Sequence, residues 1–290
     1  MKGPSRGHWS RRRIAATVVG SMVVALILAV GVWMQVGERI ALDTTYHAPN
    51  PAPDRIDVRA TVQRVDAAAR ELTLRVMVTP RGRLAEEDGL LTSQDLVLRT
   101  SQDVRGDLTF PAHTRVDAKD VPVALAGGAV TDYPFDEYAT DIAFSATADG
   151  AAVPVSMTLV NVDALFAIDV DAANEHGVAG FDLGVQRSRT VLLFAVFMIV
   201  AMWALAIAVF IGAKVMVGGR RGLVWPALGW MAATLFALAA FRNTAPGNPP
   251  IGSLLDYLAF LWAEAIVAIC LTAAVFAGAV VESRTDAGPA

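Results

Sequence analysis

Cysteine is almost missing from this chain: Cys270 stands alone inside an apolar run. A single thiol excludes an intrachain disulfide framework and any CxxC metal or redox motif, so an exported domain here needs a packed core. Lysine is nearly as scarce, with only Lys2, Lys119 and Lys214 against many arginines, a usage that reads as coding bias. Positive charge clusters in residues 1–13 and between Lys214 and Arg221, while most carboxylates fall between Asp43 and Asp182. A net charge of -4 divided in this way reports topology, and no nucleic-acid partner is expected. His47, His113 and His176 lie far apart without HExxH or other ligand spacing, so no metal is expected. GxSxG, phosphate-loop and GxGxxG motifs are missing from any fitting context, which leaves no expected cofactor and little support for an enzyme.

What the chain has instead is length in its apolar runs. Its 290 residues have a mean hydropathy of +0.47, and the apolar residues fall in blocks, the mark of a membrane protein. A basic cytoplasmic tail, residues 1–13, precedes an uncharged run at 14–34. That run is longer than a cleaved signal's apolar region and long enough to span, so it reads as a retained transmembrane anchor. Arg11, Arg12 and Arg13 hold the N-terminus inside by the positive-inside rule, which exports the next segment. Three further blocks, 191–213, 223–241 and 253–281, are each long enough to span, and residues 282–290 form a second cytoplasmic tail. Lys214, Arg220, Arg221 and Arg284 fall on the inner side, which places the loop at 242–252 outside. Trp225 and Trp262 are candidate interfacial anchors, and Trp203 and Trp230 are expected between helices.

Residues 35–190 form a region of mixed composition that opens on a Pro-rich linker, His47 to Asp54. Ile56, Val58, Ala60 and Val62 alternate with polar neighbours, and so do Leu72, Leu74, Val76 and Val78, which puts one set on a core and the other towards water. Similar strands are expected at 95–100, 121–125, 140–146, 153–160 and 181–187, with a loop or helical turn at 83–88. Closely spaced short strands predict an antiparallel β-sandwich-like domain. The expected fold class is therefore membrane α+β: an N-terminal anchor, this extracytoplasmic domain, and three C-terminal transmembrane helices.

Charges beside the spans are the candidate site, because an ionised group there needs a partner, a wet cavity or a role. They converge on the stretch 241–264, where Arg242, Asp256 and Glu264 surround a loop stiffened by Pro246, Pro249 and Pro250. Asp256 lies in a first helical turn, suited to an anion and to pairing with Arg242. Glu264 lies about ten residues and so about 15 Å beyond the start of the last span, at ~1.5 Å per residue, where a carboxylate can bind an ion, relay a proton or join helices with Thr234 or Trp230 as donors. Asp136 and Glu137 are adjacent and point apart on extended chain, so they suit a docking contact better than acid–base catalysis.

Two motifs carry a resemblance: YPFDEY, Tyr133 to Tyr138, followed by ATDIAFSA, and the loop and helix start from Arg242 to Glu264. Together with the layout of spans, they make the chain similar to an uncharacterised bacterial membrane-protein family, domain of unknown function family 4436. That resemblance implies an architecture and no activity. In layout the chain also resembles, more distantly, the subunits of pentameric ligand-gated ion channels. The likeness rests on Tyr133, Pro134, Phe135 and Asp136 in a loop, on Arg187 and Arg189 running directly into a span, and on Arg242, Pro246 and Asp256 in the same order. Flanking cysteines are absent, and Thr234 is the one clearly polar lumen candidate in the second of the three spans. This likeness implies contact between Asp136 and Arg187, Arg189 or Arg242. The function expected is a non-enzymatic envelope interaction or sensory module of the cytoplasmic membrane, with both termini cytoplasmic. Its expected partners are membrane lipid, an envelope protein or ligand, and further copies of itself. A channel-like or transporter-like oligomer is the alternative.

Overall fold

The computed structural model describes residues 44–286, apart from 102, 105, 176, 177, 220 and 221, together with scattered positions between 18 and 37. The basic tail, most of the anchor expected at 14–34, His176, Arg220 and Arg221 lie outside the described residues.

Numbered in chain order, the strands form two main sheets. One runs β1 (Thr45–Ala48), β11 (Val155–Asn161), β2 (Ile56–Asp66), β3 (Glu71–Pro80), β8 (Lys119–Ala124). The other runs β12 (Phe166–Glu175), β13 (Val178–Arg187), β9 (Glu137–Ala148), β6 (Leu96–Thr100), β7 (Leu108–Phe110), with β10 (Ala151–Val153) also on β9. A small hairpin, β4 (Ala85–Glu86) with β5 (Leu91–Thr92), stands apart. Alternation sets the faces. The apolar sets of β2 and β3 turn into one core, and Ile142, Phe144, Phe166, Phe181 and Leu183 close it from the second sheet. Each such side chain, fully buried, contributes about 1.5–3 kcal/mol.

The structure corrects the expected strand pattern in three respects. The domain is not wholly antiparallel, since β11 lies parallel to β2, from Val155 opposite Ile56 to Asn161 opposite Val62. Parallel neighbours need a long crossover, and here the chain passes through the second sheet before it returns beside β2. The single strand expected at 153–160 is divided at Pro154 between β10 and β11, and the short strands β4, β5 and β7 escape the sequence pattern together with two others. β1 occupies the front of the presumed linker, and β12 (FAIDVDAANE) breaks its alternation with small and acidic residues. The stretch at 83–88 forms short 3-10 turns around β4, as its composition suggests.

On the polar face of the second sheet, Asp171, Asp182 and Asp141 stand directly opposite one another across three neighbouring strands. Burial first, then the carboxylates of Asp182 and Asp103, pushes the Asp141 carboxyl up. The folded chain therefore binds this proton more tightly than the unfolded chain. The stability it confers is complete below the ordinary carboxyl value and is lost as pH rises through the raised one. Asp141→Asn is expected to stabilise the domain at neutral pH by about 0.2–1 kcal/mol, the size of one opposed pair. Urea unfolding at pH 4 and pH 7 checks this; an equal effect at both, with pH values set at about the ordinary carboxyl range and above it, contradicts it.

Each of the three C-terminal apolar blocks forms a helix: α1 (Arg189–Gly218), α2 (Trp225–Arg242) and α3 (Leu261–Asp286), the last entered through a π-helical turn, Asp256–Phe260. Ser188 caps α1 by accepting the Val191 N–H, so β13 runs into the helix with one residue between them. Val191, Ala195, Met198, Met202, Ala206 and Val209 form the buried stripe of α1, yet Phe197, Val200, Phe210 and Ile211 are exposed on its other sides. A helix apolar all round is suited to lipid. By length and apolarity, α1 and the continuous helix Asp256–Arg284 qualify as membrane spans, while α2, with 18 residues, is not among them. Small residues at the contacts, including Ala195, Ala206, Ala259 and Ala263, let the helices approach closely. Lys214 lies within α1 and not in the loop after it.

Candidate functional site at the seam of strands and helices

The site is built where the lower ends of β9 and β13 meet the helices. A 3-10 turn, Val130–Asp132, brings the chain down to Tyr133 and Pro134, joined by a cis peptide, before β9 begins. Tyr133 leaves the strand core altogether and packs with Val191, Ala195 and Leu255 in the helical cluster. Burial pushes its phenol up to about 12, and Arg187, Asp136 and Arg242 act on it in turn. Among the described residues its hydroxyl has no hydrogen-bond partner. Phe135 stays exposed.

Asp136 turns inward and Glu137 outward, as extended chain requires. The Asp136 carboxylate accepts from Arg187 Nε at 3.0 Å and Nη2 at 2.9 Å, and from the Tyr138 hydroxyl at 3.0 Å. Both side chains are essentially inaccessible, 0% for Asp136 and 2% for Arg187. The guanidinium is held over the rings of Phe166, at 4.2 Å, and Tyr133, at 5.1 Å. Of the three arginines considered for Asp136, Arg187 is the partner. Arg189 is exposed at the start of α1, and Arg242 belongs to a second pair.

That second pair closes the loop between α2 and the π-helical turn. Arg242 donates from Nε to Asp256 Oδ1 and from Nη2 to Oδ2, both at 2.7 Å, and also to the carbonyls of Pro249 and Pro250. Asp256 Oδ2 further accepts the N–H groups of Gly252 and Ser253. Pairing predicted from a helix-start carboxylate is thus present, with the loop's proline carbonyls added as acceptors. Tyr133 lies electrostatically between the two pairs.

The deeper residues are placed differently from expectation. Thr234 is buried, but its hydroxyl donates to the Trp230 carbonyl one turn back. It therefore has no proton to offer Glu264, and Trp230 is about half exposed, with its ring edge beside Gly212 of α1. Glu264 Oε2 is buried without a partner among the described residues. Trp203 does lie between helices, and its indole N–H donates to the Leu258 carbonyl at 3.0 Å. Leu258 lies in the π-helical turn, a geometry that shifts carbonyls from their α-helical partners.

A buried polar knot at the end of β11 escapes the sequence reading. Asp163 accepts the N–H groups of Val65, at 2.6 Å, and Leu165, while Asn161 accepts from Asp163 N–H and donates to the Phe166 carbonyl. An Asn-x-Asp at a strand end is the available signal, since both residues bond readily to nearby backbone. Among the described residues, no three His, Cys, Asp or Glu side chains are placed to hold a metal. His47 and His113 are exposed and bond to Thr158 and Glu86.

The chain matches no curated protein sequence. Two family matches divide it at the site just described, the first ending at Gln186 and the second beginning at Arg187. Asp136 and Arg187, joined in one ion pair, thus come from different matched regions. Residues 187–281 match the family described as Domain of unknown function (DUF8686), and residues 46–186 match the family described as Domain of unknown function (DUF4436).

Proposed function

We propose that this is a multi-pass protein of the cytoplasmic membrane, non-enzymatic, in which an extracytoplasmic β domain engages an envelope protein, lipid or wall component and passes its orientation to the helices below. The retained anchor at 14–34 and the three C-terminal helices are its spans, and both termini are cytoplasmic. The observation that carries this reading is the buried Asp136–Arg187 pair at the seam. A domain that only needs tethering can hang on a flexible linker. A desolvated, bidentate pair costs solvation and yields a defined geometry, which is what an interaction or sensory module needs at this point.

Two cysteine reporters test it, at Ala151 in β10 and Val217 near the far end of α1, each exposed. In intact cells a membrane-impermeant maleimide is expected to label Ala151→Cys and spare Val217→Cys. Spin labels at the same positions are expected to give a narrow distance distribution that broadens in Asp136→Asn. Reversed labelling, or a distribution indifferent to Asp136, sinks the reading. The channel-like oligomer has thinner support, because Thr234 keeps its hydroxyl buried and bonded within its own helix. A stable oligomer whose ion flux in reconstituted bilayers responds to Glu264→Gln would restore it.

A further inference from the structure

A cavity of about 460 Å³ opens beside the Asp136–Arg187 pair, within the range of small-molecule sites. Five stretches meet in it: Gln63 to Ala68 at the end of β2 and just beyond it, Val130, the β11–β12 connection as far as Phe166, Arg187, and Gly247–Asn248 of the loop between helices.

Its walls are built. Gln63 sits where the register of β2 against β3 slips between Val62 and Arg64, and such a bulge re-aims a side chain. The facing wall is the connection pinned by Asn161 and Asp163, both buried. On a third side Gly247, with φ 77°, lets the loop backbone come close to Arg187; a Cβ there would stand 2.5 Å from Nη1.

The polarity left over is that of two carboxamides, each with N–H donors and a carbonyl acceptor, and of the Arg64 guanidinium. Asp163 is committed to two backbone N–H groups, and Asp66 to the Ala69 N–H and to Arg64. Among the described residues the side-chain amides of Gln63 and Asn248 make no hydrogen bond. Arg64 stands at the rim with its side chain 75% exposed. Beside these donors the wall is apolar, with Val130, Leu165 and half-exposed Val162. One guanidinium with amide donors and acceptors next to an apolar wall fits a head group that carries phosphate oxygens and hydroxyls on a hydrocarbon chain.

We propose that this cavity binds the phosphate-bearing head group of an anionic phospholipid from the outer leaflet, with Gln63, Asn248 and Arg64 meeting the phosphate and Val162 and Leu165 meeting the start of its acyl chains. The proposal rests on the membrane reading above, which puts the loop at Gly247–Asn248 at the outer bilayer surface. Lipid occupancy would then bridge the two halves of the seam.

The full chain is placed in phosphatidylcholine nanodiscs, with or without phosphatidylglycerol, and the plain discs also receive soluble glycerol phosphate. Phosphatidylglycerol is expected to raise the unfolding midpoint and to slow amide exchange at 162–165 and 247–248. Gln63→Glu and Asn248→Asp are each expected to require roughly tenfold more phosphatidylglycerol for the same protection, the loss of one charge-assisted contact. Both side chains are at least partly exposed, so both variants keep the fold, which circular dichroism verifies. No protection, or equal protection in the variants, overturns the proposal; protection by glycerol phosphate alone overturns the lipid source. A chain that enters the nanodiscs in the predicted orientation and ignores phosphatidylglycerol defeats this inference only. Failure of the labelling at Ala151 defeats the reading beneath it.

Discussion

Asp136→Ala is expected to destabilise the protein by about 3–5 kcal/mol, the cost of leaving one member of a buried ion pair without the other. The side chains explain the size. Arg187 would keep its guanidinium between Phe166 and Tyr133, 2% exposed, with no carboxylate to receive it. The Tyr138 hydroxyl loses its acceptor in the same step. Arg187→Met should cost a similar amount, because it strands Asp136. The double variant Asp136→Leu/Arg187→Met is expected to recover most of the loss, since well-packed apolar replacements for a buried pair are often neutral. A double-mutant cycle in detergent, followed by tryptophan fluorescence during denaturation, measures this directly. Single losses below about 1 kcal/mol would mean that the pair is solvated in the working protein. If the double variant is stable and its seam geometry is loose, stability and orientation have been separated, as the coupling reading requires.

The second large effect is expected from Asp256→Ala, also about 3–5 kcal/mol by the same rule, but felt first as local opening. Asp256 receives Arg242 and the N–H groups of Gly252 and Ser253 at the point where the loop becomes helix. Removing it releases the start of the π-helical turn and leaves Arg242 holding only the carbonyls of Pro249 and Pro250. Amide exchange should accelerate at 252–257, and a protease should nick the loop at 243–252. Arg242→Lys is the informative companion: a point charge cannot match two carboxylate oxygens and two carbonyls at once. It should give the same opening at roughly 1–3 kcal/mol, the cost of unmade bonds to a charged group. An unaltered exchange pattern in both variants would show that the prolines alone hold the loop.

Much of this was legible in the residues. Alternation at Ile56 to Val62 and at Leu72 to Val78 identified strands because a half-buried sheet needs a period of two. The carboxylate of Asp256 in a first turn, one loop away from Arg242, identified an ion pair because neither charge is stable alone beside a membrane. Asp136 with Glu137 could be read as one residue in and one out. The limits of that reading are equally specific. β12 was missed because Asp169, Asp171 and the alanines blur the alternation that burial imposes. The choice of Arg187 over Arg189 or Arg242 could not be made from spacing. It depends on which side of the β13–α1 junction faces the loop at 133–136.

By itself the sequence determined composition-level properties and local periodicity. These are the apolar blocks that become helices, the alternating runs that become strands, and the scarcity of cysteine that demands a packed core. All of them depend on neighbours within a few residues. The tertiary structure alone decided what depends on residues far apart. β11 entered beside β2 in parallel, Tyr133 left the strand core for the helices, and Thr234 spent its proton on its own helix while Glu264 kept an oxygen without a partner. The physical reason is that a buried polar group is satisfied by whatever the fold brings within about 3 Å, and local sequence does not carry that distance.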